Sequence, residues 1–164
     1  MADVANSKLF QQIEGIQNIK DALVVLVKTE WNSVIVDELE RGCIRVLEQY
    51  GVASRTIVVP GAVEIPFAIQ QCQAYNRAAA FIALGCVVRG DTPHFEYVCQ
   101  SVTHGITELN LNMQVPVIFG VLTVNNDQQA LERTGGIHGH KGEEAAITAI
   151  KMMVISQQLK EAAL

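Results

Sequence analysis

Four short apolar runs, ALVVLV (22–27), TIVVP (56–60), AAAFIAL (78–84) and PVIFGVL (116–122), recur along the chain with longer segments between them. No other feature constrains the fold as much. The runs are short for helices and too continuously apolar to have a solvent-facing side, so they read as strands buried on both faces. Each connection has room for a helix, and strands alternating with helices build a parallel sheet. In the first connection Leu39, Cys43, Val46, Leu47 and Tyr50 repeat at helical spacing, with Asn32 or Ser33 as an N-cap and Gly51 as the terminator. A second helix is predicted from about Glu64 to Tyr75, and a third from Pro93 to about Leu111. NNDQQALERTGG reads as a short capped helix, GGIHGHKG as a glycine-rich turn, and Ala146, Ala149, Ile150 and Met153 as one face of a final helix. The expected order is βαβαβαβαα.

Residues 1–20 precede this pattern and are expected to form an N-terminal extension to a single domain over residues 21–164. Within the extension, LFQQIEGI is apolar enough to add an edge strand, either to this sheet or to that of a neighbouring subunit. The 164-residue length suits one domain with a substantial core, and a hydrophobic fraction of 49% argues against disorder. A net charge of −5 with no Lys/Arg cluster lacks the electrostatic footprint of a nucleic-acid or anionic-membrane binder, so small molecules and protein partners are the expected ligands. No apolar run approaches the roughly 20 residues that span a bilayer, and no basic start leads into an apolar segment, so a cytoplasmic location is expected. Cys43, Cys72, Cys86 and Cys99 are dispersed without metal-ligand spacing and read as buried reduced thiols.

Ligands of open parallel sheets bind beyond the carboxyl ends of the strands, which here carry KTEWNS, VPGAVE, GCVVRGDTPH and LTVNN. In GDTPH, Thr92 is a candidate N-cap and Pro93 a candidate first helical residue, which places His94 in the first turn. Free N–H groups there favour a bound anion, and an imidazole beside one can pass protons on a phosphorylated substrate. A solvent-facing histidine at a helix start explains the same spacing, and the residues alone leave both readings open. Arg133, Lys141 and the glycines between them suit either an anion-cradling turn or an ordinary solvated one. Trp31 can stack on a heterocycle or pack half-buried, and Glu64 can bind a polyol or simply favour a helix dipole. His138 and His140 lack a third metal ligand nearby and read as exposed loop residues, and the tripeptide Arg89-Gly90-Asp91 reads as chance.

Taken together, VPGAVEIPFA, ALGCVVRGDTPHFEYVC, VPVIFGVLT and QALERTGGIHGHKGEEAA, in this order and spacing, resemble the lumazine synthase family from about Ala22 to the last helix. The resemblance implies an α/β three-layer sandwich: a flavodoxin-like sheet of four parallel strands with helices on both faces. It implies a transferase of riboflavin biosynthesis that condenses 5-amino-6-(D-ribitylamino)uracil with 3,4-dihydroxy-2-butanone 4-phosphate, with no metal or redox cofactor. Carried over by motif, Trp31 stacks on the pyrimidine with Asn32 also among the binding residues. Ala62, Val63 and Glu64 meet the ribityl chain, and backbone at Cys86, Val87, Val88 and Phe119 holds the ring's polar edge. Asp91 and Thr92 amides with Arg133 take the phosphate, while His94, Arg133 and Lys141 form the catalytic set. The resemblance also implies homopentamers whose sites lie between adjacent subunits, assembly of pentamers into an icosahedral capsid, and association with riboflavin synthase. Pro93, the TVNN stretch and His140 depart from commoner family choices. A non-catalytic flavin- or nucleotide-binding module and a shell protein without activity are the competing classes, and KTEWNS lacks the Ser/Thr-rich phosphate loop the former requires.

Overall fold

A computed structural model describes residues 7–75 and 77–162. The elements are β1 (Leu23–Thr29), α1 (Ser33–Gln49), β2 (Ala53–Val59), α2 (Ile65–Tyr75), β3 (Ala80–Val88), α3 (His94–Asn112), β4 (Val117–Val124), α4 (Asp127–Leu131), β5 (Thr134–Gly136), β6 (Gly139–His140) and α5 (Lys141–Ala162). The first four strands form one parallel sheet in the order β2-β1-β3-β4, as the alternation predicts.

Strand periodicity sorts the core into two layers. Val24 and Leu26 of β1, with Ala80, Ile82 and Leu84 of β3, face α1 and α5. Val25, Val27, Phe81 and Ala83 point the other way, to α2 and α3. The chain first steps from β1 outward to β2, then back across β1 to β3 and on to β4. Right-handed crossovers therefore put α1 on one face and α2 and α3 on the other. The connections diverge at the carboxyl ends of β1 and β3, which is where a ligand crevice belongs.

Helix α1 buries Leu39, Cys43, Val46 and Leu47, and it ends where Gly51 takes a left-handed φ of 68° while the Gly51 and Val52 amides donate back to the Glu48 and Leu47 carbonyls. Its start differs from a simple cap. Asn32 is itself left-handed at φ 56°, makes no side-chain cap, and instead donates from Nδ2 to the Cys86 carbonyl at 2.7 Å. The predicted Thr92 cap of α3 is not formed. Pro93 occupies the capping position without a side-chain bond and the helix begins at His94, because proline completes the bend one residue later than the pattern suggests. Asn126 does cap α4, accepting from the Gln129 amide at 3.0 Å.

The glycine-rich turn is an antiparallel hairpin of β5 and β6. His140 is buried at its end, 8% exposed, against the expectation of a loop residue, because the side chain turns inward onto α1. Among the described residues LFQQIEGI forms no strand, and the segment instead runs through a 3₁₀ turn at Ile16–Ile19 that packs on α5. Residues 1–6 of the extension lie outside the described residues.

Candidate active site

The loops at the carboxyl ends of β1, β2 and β3 enclose a cavity of roughly 560 Å³ lined by Thr29, Trp31, Asn32, Gly61, Ala62, Val63, Glu64, Cys86, Val87, Val88, His94 and Val98. Trp31, 74% exposed, stands at its rim with its indole free for a flat ligand. Gly61 lies beside both Trp31 and Glu64. A Cβ at that position would meet Glu64 Oε2 at 2.9 Å and Trp31 Cδ1 at 3.6 Å, so the missing side chain leaves room for a ligand between indole and carboxylate. The Asn32 amide ties the Trp31 loop to β3 through Cys86, which uses one acceptor lone pair of that carbonyl and fixes the loop across the crevice. Burial pushes the Cys86 thiol up to about 11, so the sulfur stays protonated near neutrality and is not a thiolate nucleophile.

His94 opens α3 and is solvent-accessible in the same cavity. The turn before it is braced by Arg89, whose guanidinium pairs with Glu96, donates from Nε to Asn125 Oδ1 at 3.0 Å, and lies 4.1 Å over the Phe95 ring. Arg89 thus holds the carboxyl of Glu96 below its usual range. Asp91 and Thr92 are exposed in the bend and line neither this cavity nor the next.

A second cavity, of roughly 700 Å³, runs along the outer edge of β4 and is lined by Phe119, Thr123, Arg133, Lys141, Glu144 and Thr148 among others. Phe119 is 41% exposed although it sits in a strand. Arg133 donates from one terminal nitrogen to the Gln129 carbonyl at 2.8 Å, while its Nε is buried without a partner among the described residues. An orphaned donor on a guanidinium is an invitation to an anion. Lys141 is already spoken for: Nζ donates to both carboxylate oxygens of Glu144, at 2.9 and 2.7 Å. Glu144 is the functional neighbour that residue-by-residue reading passes over, and its three-residue helical spacing from Lys141 is the signal that points to it.

The predicted site residues therefore fall into two groups. Trp31, Asn32, Ala62, Val63, Glu64, Cys86, Val87, Val88 and His94 share the first cavity; Phe119, Arg133 and Lys141 share the second. No lining residue is common to both. Among the described residues no cluster of His, Cys, Asp and Glu has the makings of a metal site, and no helix is long and apolar enough to cross a membrane.

A flavodoxin-like sheet with an aromatic, a carboxylate and a histidine at the β1/β3 crevice defines an α/β protein that handles a flat polar small molecule. A profile of the 6,7-dimethyl-8-ribityllumazine synthase family matches residues 21–157. The chain belongs to that family. It is 50% identical over 136 residues to the 6,7-dimethyl-8-ribityllumazine synthase of Porphyromonas gingivalis, an alignment covering 81% of this chain and 84% of that one. Identity to the enzyme of the same name from Parabacteroides distasonis is 50% over 134 residues, covering 80% and 84%. For Phocaeicola vulgatus it is 43% over 155 residues, covering 93% and 90%.

Proposed function

We infer that the chain condenses 5-amino-6-(D-ribitylamino)uracil with 3,4-dihydroxy-2-butanone 4-phosphate to give 6,7-dimethyl-8-ribityllumazine, inorganic phosphate and two molecules of water. Membership of the family supports the reaction. The observation that carries the assignment of roles is the division of the candidate residues between two open cavities, each chemically half of what the reaction requires.

In this reading the first cavity takes the pyrimidine. Trp31 stacks on the ring, the Cys86–Val88 backbone meets its polar edge, and Ala62, Val63 and Glu64 receive the ribityl hydroxyls. The second cavity supplies Arg133 for the phosphate and the Phe119 backbone for the ring's polar edge, with Lys141 held beside them by Glu144. The cavities share no lining residue, and in this reading a complete site forms when the β4 edge of one copy closes over the His94 crevice of the next. Asp91 and Thr92, exposed in the bend next to His94, add backbone amides to the phosphate there.

The chemistry proceeds by imine formation between the 5-amino group and the ketone, loss of phosphate, and ring closure. Each step moves a proton, and in this reading His94 carries it. Holding two reactants in register supplies a further share of the acceleration, about 7–11 kcal/mol in favourable cases.

Assembly as homopentamers, and of pentamers into an icosahedral shell, extends the same reading, as does association with riboflavin synthase. The direct test mixes both substrates with purified protein and follows the absorbance and fluorescence of the lumazine. Product formation that is lost on Arg133→Ala supports the reading; no product from folded wild-type protein refutes it.

A further inference from the structure

We propose that His140 is a positioning residue that locks the hairpin carrying Arg133 and Lys141 onto α1 and so sets the phosphate-binding geometry. The inference rests on the assignment of Arg133 to phosphate.

Among the described residues only Thr29 and His140 are polar side chains in the buried class, and His140 has a seat built for it. A Cβ on Gly42 would come within 2.1 Å of imidazole Cε1 and 2.5 Å of Nδ1, so the ring fills the notch where that side chain is missing. Glycine in a helix interior weakens the helix relative to alanine, and at Gly42 the ring is what the missing methyl accommodates. Around the ring α1 and α5 approach backbone to backbone: a Cβ on Gly142 would lie 2.1 Å from the Leu39 carbonyl oxygen, and Cys43 Sγ donates to the Gly142 carbonyl at 3.0 Å.

The polar atoms of the ring are matched to this seat. Nδ1 accepts from the Glu143 amide, in the third residue of α5, which makes the imidazole an N-cap. With Nδ1 accepting, the ring proton sits on Nε2, which faces Glu38 Oε1 at 3.4 Å. Both contacts are long, so the notch does more of the holding than the bonds.

The hairpin backbone that carries the ring is also tied to the candidate phosphate residues. His140 pairs with Thr134 across the hairpin, the Lys141 amide donates to the Arg133 carbonyl at 2.8 Å, and Gly135 lies against the ring edge. A shift of the ring is therefore a shift of the backbone that carries Arg133 and Lys141.

His140→Ala removes both cap and wedge, and Gly42→Ala drives the ring from its notch. His140→Asn keeps a capping side chain but leaves the notch unfilled. The expected result is a rise of about tenfold in KM for the butanone phosphate and in the inhibition constant of inorganic phosphate, with KM for the pyrimidine little changed. His140→Asn should fall between wild type and His140→Ala. The double variant of Gly42→Ala and His140→Ala should be no worse than either single change, because both undo one contact. Equal effects on both substrates, or a loss of thermal stability with phosphate constants untouched, overturns the proposal. If His140→Ala does not fold, the same split read in Gly42→Ala and His140→Asn decides. Wild type and Arg133→Ala are measured alongside, since an Arg133→Ala enzyme that keeps its phosphate affinity overturns the phosphate assignment and not the lock. Hydrogen exchange then reads the lock alone: faster exchange of the Arg133 to Lys141 amides in Gly42→Ala supports it, and unchanged exchange overturns it.

Discussion

In the proposed reading two side chains set the chemistry of the first cavity through what they lack as much as through what they bear. Trp31 offers a ring that no neighbour covers, and His94 stands at the open end of a helix with Glu96 already taken by Arg89. An acid/base group that only speeds proton transfers contributes about 10²–10⁴-fold, so His94→Ala should slow turnover by about that much and leave a residual rate from substrate positioning. Steady-state kinetics on folded, substrate-binding variant decides, since complete loss of activity contradicts a purely proton-moving role. The thiols make a separate test. Burial pushes Cys43 up to about 12 and Cys86 up to about 11, so neither forms a thiolate near neutral pH. Iodoacetamide at about pH 7 should leave both unmodified in native protein and alkylate them once it is unfolded, as read by mass spectrometry; rapid native labelling of Cys86 would show that the cavity activates it.

Helix α1 joins the core to the site, and its charged face records the connection. Arg41 holds the carboxyl of Glu38 below its usual range, burial opposes the shift, and His140 adds to it. A carboxyl depressed in the folded state contributes stability that is fully present above its unfolded value, near 4.5, and that disappears as pH falls through the folded value. Glu38→Gln should therefore flatten the acid side of the thermal-stability profile below about pH 5, and an unchanged profile contradicts the pairing. The elements themselves were legible because period-two and helical apolar spacing are local signals. The Gly51 terminator and the Asn126 cap follow from single residues with one dominant backbone use. Thr92 was misread as a cap because Pro93 fits both the first helical position and the one before it. The burial of His140 was not legible at all, since the notch that receives it belongs to Gly42, distant in sequence and brought close only by the packing of α5 on α1.

At the scale of the whole molecule, among the described residues the sheet ends in an unpaired β4 edge beside an exposed Phe119 and an Arg133 whose Nε lacks a partner. The grouping of residues in the first cavity follows from motifs that come after successive strands, whereas the separation of Phe119 and Arg133 from them was expected only from the family resemblance and not from the residues themselves. Light scattering should give a mass that is a multiple of the pentamer, with a shell-sized particle expected for the capsid proposal; a mass limited to one pentamer rejects the capsid. The most direct test of the shared site uses two damaged enzymes, His94→Ala and Arg133→Ala, dissociated, mixed in equal amounts and reassembled. If each site draws His94 from one copy and Arg133 from its neighbour, about a quarter of the mixed sites carry both intact groups, and activity rises well above the mean of the two parents. If one chain supplies both groups, mixing yields only that mean, and the account of a site closed between copies is contradicted.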